Sequence, residues 1–520
     1  MWHRTTANSV ALLLTVATSM AAPQFTPRAT HIDHQYLGGW EHFVGGGVAA
    51  FDCNNDQLPE LYFAGGTAPA TLLRNATGER GADIDFEKMA AEEIELTRVI
   101  GAYPLNINND AHTDLVILRV GENMLFEGQG DCRFARSDLL DGLEVDHWTT
   151  AFSAIWEANQ ELPTLAFGNY VDRKDPEGPF GTCEPNIVLR PEGNRYNEAT
   201  ELTPGYCALS ILFSDWSGQG QQDLRVSNDR HYYLNDGQEQ LWQFTAERPH
   251  LVTAGEGWQK HQIWGMGIAS RDINFDGVPE VYLTSMGDQK LHSLAQNAEG
   301  PTFTDAAYEK GITAHRPYLG DEGRPSTGWH AQFGDVQNDG LDDIFVAKGN
   351  VDQMIGVAMR DPNNLLVQQP DGRFVEQGDV AGIASLDRSR GGALIDLNLD
   401  GKLDLVVNNR RAEAEIYQNT TADPGNWLAI KLEQLAPNRD AIGAWIKVRT
   451  PERTYSREIT VGGGHAGGQL APAHFGLGDQ AKVEMQVIWP DQTKSDWQTL
   501  ETNQAYQVAR DGAALVISAY

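Results

Sequence analysis

An acidic nine-residue stretch recurs six times along the chain, and this repeat constrains the fold more than any other feature of the sequence. The copies read DCNNDQLPE from 52, NINNDAHTD from 106, DWSGQGQQD from 215, DINFDGVPE from 272, DVQNDGLDD from 335 and DLNLDGKLD from 396. Successive copies start 54, 109, 57, 63 and 61 residues apart. We expect a degenerate seventh unit in the long gap, at TLAFGNYVD (164–172), where Asn169 would occupy the first loop position. Seven units of this length predict a repeat architecture.

The residues on either side of each stretch favour short β-strands of two kinds. Small residues and glycine come before it, as in GGGVAAF, GMGIAS and RGGALI, whereas β-branched and aromatic residues follow it, as in ELYFAGG, EVYLTS and DLVVNN. In a propeller the innermost strand of each blade crowds against its neighbours at the axis, where small residues fit. The sequence therefore predicts an all-β chain with a seven-bladed β-propeller over residues 23–420.

The alternation of oxygen-bearing side chains within the stretches is typical of a calcium loop. Oxygens fall at positions 1, 3, 5 and 9, a backbone carbonyl is available at position 7, and glycine at position 6 allows a sharp turn. Calcium takes about 6–8 such oxygens, whereas magnesium requires a tighter octahedron. Without a cation, the clustered carboxylates would repel one another and their pKa values would rise. Five stretches supply the ligand pattern: Asp52, Asn54, Asp56, Leu58 and Glu60; Asn106, Asn108, Asp110, His112 and Asp114; Asp272, Asn274, Asp276, Val278 and Glu280; Asp335, Gln337, Asp339, Leu341 and Asp343; and Asp396, Asn398, Asp400, Lys402 and Asp404.

A single copy of this stretch would also suit an ordinary acidic turn capped by its own side chains. Five copies in register, each between two strands, favour the calcium interpretation. The sixth copy has lost charge, so we expect it to hold an ion weakly or not at all; its corresponding residues are Asp215, Ser217, Gln219 and Asp223. The sequence predicts about five calcium ions.

These loops and strands resemble the FG-GAP/VCBS repeats of integrin-like propellers. The tail, with IGAWIKV, HFGLG and WPDQ in that order, resembles the ASPIC/UnbV module that follows such propellers in CRTAC1-like proteins. The resemblance implies calcium in the five loops and a small domain after the propeller. Alternating apolar and polar residues in WLAIKL and MQVIWP predict that residues 421–520 form a β-sandwich-like domain.

The N-terminus has the features of a secretory signal over residues 1–22. Arg4 precedes an apolar run from Val10 to Val16, and small residues follow near Ala22. A buried N-terminal strand or helix is the alternative. No later stretch has the ~20 apolar residues of a membrane span, so we expect a secreted or periplasmic protein.

Four cysteines permit two disulfides in an oxidising compartment. We favour Cys183 with Cys207, since both flank one irregular region, and four buried free thiols remain the alternative. The net charge of -33 argues against nucleic acid or anionic lipid as a partner. The partner that we expect is a protein or a glycan, and the sequence does not identify it.

The propeller face opposite the acidic loops is where we expect a ligand. Seven residues near the starts of the inner strands are candidates: His42, His261, Trp264, Trp329, His330, Arg388 and Arg390. They could converge to bind an anionic or sugar-like ligand or, through the histidines, a further metal. The alternative is that they only pack and satisfy backbone groups.

Two functions are consistent with this sequence. The first is a binding or adhesion module with structural calcium. The second is a carbohydrate-active enzyme of the lyase or dehydratase type, which would need His42, His261 and His330 to meet near a carboxylate. The sequence has no GxSxG, HExxH or P-loop motif in support of catalysis.

Overall fold

The computed structural model describes residues 21–143, 146–175, 181–229, 234–244, 248–313, 323–512 and 514–520. Regular structure in these ranges is almost entirely β. It comprises strands β1–β39, one α-helix, α1 (Gly378–Ala381), and 3-10 helices at Trp40–His42, Ala254–Glu256 and Tyr308–Lys310. The predicted all-β fold is confirmed. Residues 1–20 of the predicted secretory signal lie outside the described residues.

The strands before the C-terminal domain divide into seven antiparallel units in the described part of the chain, of which units 2 and 3 are joined in one eight-stranded sheet. The first strand of the chain is β1 (Phe25–Arg28). Unit 1 comprises β2 (Val48–Phe51), β3 (Glu60–Phe63), β4 (Thr71–Asn75) and β5 (Phe86–Lys88). Unit 2 comprises β6 (Val99–Leu105), β7 (Asp114–Glu122), β8 (Met124–Gly128) and β9 (Phe134–Arg136). Unit 3 comprises β10 (Asp146–Ile155), β11 (Thr164–Asn169), β12 (Asn186–Leu189) and β15 (Thr200–Leu202), with a hairpin of β13 (Pro191–Glu192) and β14 (Arg195–Tyr196).

Units 4 to 7 have the same strand order. Unit 4 comprises β16 (Ala208–Ser214), β17 (Asp223–Asn228), β18 (Gln240–Phe244) and β19 (Pro249–Leu251), and unit 5 comprises β20 (Gly265–Arg271), β21 (Glu280–Ser285), β22 (Lys290–Leu294) and β23 (Phe303–Asp305). Unit 6 comprises β24 (Gly328–Gly334), β25 (Asp343–Lys348), β26 (Asn364–Gln368) and β27 (Phe374–Glu376). Unit 7 comprises β28 (Arg388–Ile395), β29 (Asp404–Arg410) and β30 (Glu415–Asn419), and its fourth strand is β1, which pairs antiparallel with β30.

The first strands of the units line a common axis. Each contacts the first strand of the next unit, and β28 of unit 7 contacts β2 of unit 1. Each acidic loop joins the first strand of its unit to the second, so the loops share one face of the propeller. The loops are short and polar because the two strands that they join are antiparallel neighbours.

The C-terminal domain contains two four-stranded sheets. One has the order β35 (Ala473–Gly478), β31 (Asn426–Glu433), β38 (Gln504–Asp511) and β39 (Ala514–Ala519). The other has the order β33 (Thr454–Glu458), β32 (Trp445–Arg449), β36 (Lys482–Ile488) and β37 (Gln498–Glu501). Alternating side chains from both sheets, including Ile430, Val448 and Phe475, form one buried cluster between them. This arrangement agrees with the predicted β-sandwich-like domain.

A glycine-rich loop of the C-terminal domain fills the propeller axis, and we call residues 461–470 the plug. It includes β34 (Gln469–Leu470), which pairs parallel with β2 of unit 1. Further bridges join the plug to units 2, 3, 4 and 5, and the His465 backbone nitrogen donates to His330 of unit 6 at 3.1 Å. The small residues of the inner strands therefore make room for the plug. A Cβ on Gly101 would lie 1.6 Å from the Ala466 carbonyl oxygen.

Unit 3 is in a different register from the one predicted. Asn169 lies at the end of β11, the second strand of the unit, and not in a loop. The loop of this unit is residues 156–164, which follow β10 directly. It keeps the left-handed conformation of position 4, at Asn159, but its sequence, WEANQELPT, has lost the ligand pattern. This loop cannot be recognised from the sequence, because the ligand pattern is the signal that aligns the units.

Candidate calcium loops and axial cavity

The five predicted calcium loops share one hydrogen-bonded geometry. In each, the carboxylate at position 9 accepts a hydrogen bond from the backbone N–H of position 2. The distances are 2.9 Å at Glu60, 2.7 Å at Asp114, 3.1 Å at Glu280, 3.1 Å at Asp343 and 2.8 Å at Asp404. Because position 9 begins the second strand, this bond fixes the loop to the sheet.

A second bond shapes the middle of each loop. The side chain at position 5 accepts a hydrogen bond from the backbone N–H of position 7, at 2.7–3.0 Å in all five loops. Position 4 adopts a left-handed conformation in every copy, at Asn55, Asn109, Phe275, Asn338 and Leu399. Position 6 does so at Gly277, as its role in a sharp turn predicts, and also at Gln57, where a side chain tolerates it.

The position-9 carboxylates are buried, and burial raises their pKa values. The pKa of Glu60 is raised to about 8, and those of Asp114 and Glu280 to about 7, with repulsion from neighbouring loop carboxylates adding to the effect. Burial also raises the pKa values of Asp343 and Asp404 well above the usual range. Among the described residues, no lysine or arginine forms an ion pair with any of the five.

These donor sets suit a hard divalent cation. The side chains at positions 1, 3, 5 and 9 offer carboxylate and amide oxygens without sulfur or nitrogen ligands. At position 1, Asp272 Oδ1 and Asn106 Oδ1 are buried and have no hydrogen-bond partner in the described part of the chain. A buried oxygen of this kind costs free energy unless something bonds to it. A calcium ion would satisfy these oxygens and reduce the repulsion between the carboxylates.

Two units replace the ligand pattern with protein contacts. In unit 3, Arg190 Nε donates to Oε1 of Glu157, at position 2 of the loop, at 2.8 Å. In unit 4, Glu458 of the C-terminal domain accepts from the backbone N–H of Asp215 at 2.9 Å and from the Ser214 hydroxyl at 2.8 Å. A carboxylate from outside the repeat thus caps the degenerate loop.

The C-terminal domain lies on the face that carries the loops. His474 Nε2 donates to the Gly401 carbonyl at 3.2 Å, and the Gly478 N–H donates to the Asn338 carbonyl at 2.8 Å. Asp440 accepts from the Asn106 N–H at 3.1 Å, and Tyr455 packs edge-to-face on Phe275. The conformation of the loops and the position of this domain therefore depend on each other.

At the opposite end of the axis is a cavity of about 380 Å³, which we call the axial cavity. Residues from units 3 to 6 and from the segment before β2 line it. Most of them are aromatic residues or methionines: Trp40, Phe43, Trp148, Tyr170, Trp329, Met266, Met286 and Met354. Asp229, Asp352 and Gln353 are the charged or amide-bearing residues of its lining. The axial cavity has the size and apolar character of a small-molecule site.

The seven residues predicted to bind a ligand do not form one group. Trp329 lines the axial cavity, and the Arg390 guanidinium lies 4.0 Å from the centroid of its ring. Arg390 donates to the carbonyls of Phe43, Asn350 and Val351, so it fixes the cavity wall. Trp264 is half-buried and forms an antiparallel backbone bridge with Asp229. Arg388 is the first residue of β28.

The expected convergence of three histidines is wrong. His42 lies against Tyr36 and beneath Arg410, which donates to the His42 carbonyl. His261 packs against Trp258 and His292, on the outer side of unit 5. His330 faces the plug, where its Nδ1 accepts from the His465 N–H. The plug occupies the axis at which the histidines would have met.

The sequence analysis missed Trp40, Trp148 and Tyr170 of the cavity. Trp148 lies in β10 and Tyr170 directly follows β11, so both belong to the unit whose register was misplaced. The signal that could have found Trp148 is its place eight residues before position 1 of the loop, which is also the place of Trp264 in unit 5. Nothing in the repeat marks Trp40.

Comparisons with known proteins agree with the two parts of this structure. The model of the FG-GAP-like repeat matches residues 335–407, and that of ASPIC and UnbV matches residues 434–515. Cartilage acidic protein 1 of Mus musculus is 23% identical over 519 residues, covering 92% of this chain and 76% of the mouse protein. The resemblance to CRTAC1-like proteins is confirmed.

The human relative gives the same result. Cartilage acidic protein 1 of Homo sapiens is 25% identical over 482 residues, covering 86% of this chain and 68% of the human protein. The two family models divide where the structure does: the FG-GAP-like match spans the loops of units 6 and 7, and the ASPIC and UnbV match includes the plug.

Solved structures match at low scores. A fungal lectin described as a six-bladed β-propeller, from Aleuria aurantia, has a TM-score of 0.33 and 9% identity and covers 64% of this chain and 94% of its own. A lectin of Agrocybe aegerita has a TM-score of 0.39 and 14% identity, with coverage of 72% and 94%. Nothing about the ligand of this protein follows from likeness at this level. No helix among the described residues is long and apolar enough to cross a membrane.

Proposed function

We propose that this protein is a secreted or periplasmic binding module whose propeller is stabilised by calcium. The observation that carries the proposal is the set of five buried position-9 carboxylates, each held in the same hydrogen-bonded loop; none of the five forms an ion pair with a lysine or arginine of the described residues. Buried carboxylates without a counter-charge are costly in a folded protein. Calcium in each loop removes that cost, and the five loops would hold about five ions.

The role of calcium in this proposal is structural. The loops join the first and second strands of their units, and the C-terminal domain rests on them. Bound ions would hold the loops in the conformation on which that domain docks, and the same domain supplies the plug. Loss of calcium would therefore weaken both the propeller and the contact between the two domains.

The test is metal content by mass spectrometry on the purified protein, with thermal melts from chelated to millimolar free calcium. We expect about five calcium ions per chain and a melting temperature that rises with calcium, since a ligand that binds only the folded state stabilises it. Asp404→Asn should lose one ion and lower the melting temperature in calcium. Ser217→Ala, in the degenerate loop of unit 4, is the matched control and should change neither. Absence of calcium together with melts that ignore the chelator would overturn the proposal.

The location outside the cytoplasm is supported by the cysteines. The described chain has two disulfides, Cys53–Cys132 and Cys183–Cys207, and no free cysteine. The second is the pair favoured from the sequence. Disulfides persist in oxidising compartments, which fits a protein exported by residues 1–22. N-terminal sequencing of the protein recovered outside the cytoplasm should begin near residue 23, and a retained Met1 would contradict export by this signal.

The binding role is supported by the axial cavity, which is preformed and open at the end of the propeller that the C-terminal domain leaves free. The partner is a molecule that enters this cavity or a protein or glycan that covers its mouth. No observation favours the enzyme alternative, because its histidines are held in three separate places.

A further inference from the structure

The axial cavity is held open by contacts within the protein. Arg390, which is fully buried, donates from Nε to the Phe43 carbonyl at 3.0 Å and from Nη2 to the Asn350 carbonyl at 3.2 Å. Trp329 Nε1 donates to the Gly349 carbonyl at 2.7 Å. These bonds fix the segment before β2, the loop after β25 and the first strand of unit 6 relative to one another. A site whose walls are fixed in advance loses little conformational entropy when a ligand binds.

The opposite wall consists of three aromatic side chains in a row. Trp40 packs edge-to-face on Trp148 with 4.9 Å between ring centroids, and Trp148 packs in the same way on Tyr170, also at 4.9 Å. The plug ends below the cavity, where the His465 ring lies 5.1 Å from that of Trp329. The protein thus surrounds this volume with aromatic rings and fills it with none of its own described side chains. Such rings favour a flat apolar ligand that can pack against them.

The charged groups at the margin of the cavity already have partners. Asp229 accepts from the Tyr170 hydroxyl at 2.6 Å, and Asp352 pairs with Arg410 at 3.2 Å and with Arg411 at 3.0 Å. Arg390 lies behind Trp329 and bonds to carbonyls. Among the described residues, the lining holds no lysine, arginine or histidine to receive an anion, and Arg390, Arg410 and Arg411, which lie against residues of the wall, oppose a cation. An ion entering an apolar cavity also loses its hydration. The lining therefore disfavours charge of either sign.

The polar atoms of the lining include both acceptors and donors. The acceptors are the carboxylate oxygens of Asp229 and Asp352, and the donors are the Gln353 amide and Trp148 Nε1, which is buried and has no hydrogen-bond partner among the described residues. A hydroxyl group on a ligand both donates and accepts, so it suits this lining.

We propose that the axial cavity binds a small uncharged aromatic molecule that carries a hydroxyl group. This inference rests on the proposed binding function and names the chemical class of its ligand. The aromatic walls pack on the ring of the ligand, and the margin of the cavity accepts its hydrogen bond.

The first experiment compares three probes with the same ring system by isothermal titration calorimetry on the full chain in calcium. The probes are 2-naphthol, naphthalene-2-sulfonate and 2-naphthylmethylammonium, which are neutral, anionic and cationic at pH 7. We expect 2-naphthol to bind one site per chain at least tenfold more tightly than either ion. Tighter binding of the ammonium or the sulfonate would overturn the proposal, and so would the absence of binding by all three.

The second experiment places the binding in the cavity. Met354 lines the cavity, whereas its neighbour Ile355 is 77% exposed and lies outside the lining. Met354→Arg should weaken 2-naphthol binding at least tenfold, and Ile355→Arg should leave it unchanged. Gln353→Arg, at an exposed position of the lining, gives the same test if Met354→Arg does not fold. Equal binding by the wild type and a folded lining variant would place the ligand elsewhere and overturn the proposal.

These results separate the ligand from the calcium proposal. Calcium content and the dependence of the melt on calcium are measured without any probe. If they hold and 2-naphthol does not bind, only the ligand class is wrong. If calcium is absent and 2-naphthol binds in the cavity, the calcium proposal fails and the ligand class stands.

Discussion

The Glu458 carboxylate of the C-terminal domain accepts a hydrogen bond from the backbone N–H of Asp215 at 2.9 Å, in the first position of the unit 4 loop. Gln222 Nε2, at the other end of that loop, donates to the same carboxylate oxygen at 3.1 Å. The repeat that has lost its ligand pattern thus receives a carboxylate from another domain. This contact gives unit 4 a role in docking that its sequence alone does not show.

We expect Glu458→Ala to destabilise the protein by about 2 kcal/mol, because it leaves buried donors at Asp215 and Ser214 without an acceptor. Glu458→Gln keeps one oxygen acceptor and should cost less. Unfolding in guanidinium chloride measures both, with the exposed Glu452→Ala as a control in the same domain. If Glu458→Ala unfolds at the wild-type midpoint, the carboxylate does not support docking.

The plug leaves no room for a side chain at Gly101. A Cβ added to Gly101 would lie 1.6 Å from the Ala466 carbonyl oxygen, a backbone atom that cannot move without shifting the plug. We expect Gly101→Ala to lower the free energy of unfolding by about 3 kcal/mol. Gly78→Ala, where a Cβ would meet no atom within 4 Å, is the control. Wild-type stability of Gly101→Ala in denaturant melts would show that the plug does not sit in the axis in solution.

Acid should weaken the plug through His465. Burial lowers the pKa of His465 to about 3 and that of His330, which it contacts, to about 4, and nearby Arg390 also disfavours a proton on His465. The unfolded chain takes up a proton at about pH 6.5 while the folded protein does not, so stability falls as the pH drops below that value. Between its folded and unfolded pKa values, each of the two histidines lowers the free energy of unfolding by about 1.4 kcal/mol for each unit by which the pH falls.

The measurement is the free energy of unfolding between pH 6.5 and 4.5. His465→Gln cannot take up the proton, so its stability should fall less steeply with pH than that of the wild type by about 1.4 kcal/mol per unit. His31→Gln is the control, because the His31 side chain is exposed. Parallel curves for the wild type and His465→Gln would contradict the prediction.

The two disulfides should differ in their contribution to stability. Cys53 and Cys132 are 79 residues apart, and Cys183 and Cys207 are 24 apart. On the chain-entropy model, the longer loop contributes about 1 kcal/mol more. We therefore expect Cys53→Ser/Cys132→Ser to melt below Cys183→Ser/Cys207→Ser. Because Cys53 is position 2 of the first candidate calcium loop, the former should also lose calcium from that loop. The reverse order of melting temperatures would contradict the first expectation, and an unchanged calcium content of Cys53→Ser/Cys132→Ser would contradict the second.

The sequence predicts the acidic loops well because each is a local object. Nine consecutive residues contain the whole pattern, from Asp272 at position 1 to Glu280 at position 9, and the flanking strands are set by residues adjacent to it. Where the pattern is lost, as in unit 3, no residue of the sequence marks the loop, and the predicted register of the unit is wrong. A hydrogen-bonded loop can persist without its ligands, and Asn159 shows that its backbone shape does.

The sequence by itself determined the β character of the chain, the repeat, the acidic loops and the small domain after the propeller, because all of these depend on contacts between neighbours in the chain. Only the tertiary structure decided what fills the axis and where a ligand fits. The plug contacts six units, although it lies more than 50 residues after the last loop in the chain. Trp40, Trp148 and Trp329 line one cavity although they come from three separate segments. Contacts at such separations leave no periodic trace in a single sequence, since each depends on how the whole ring closes.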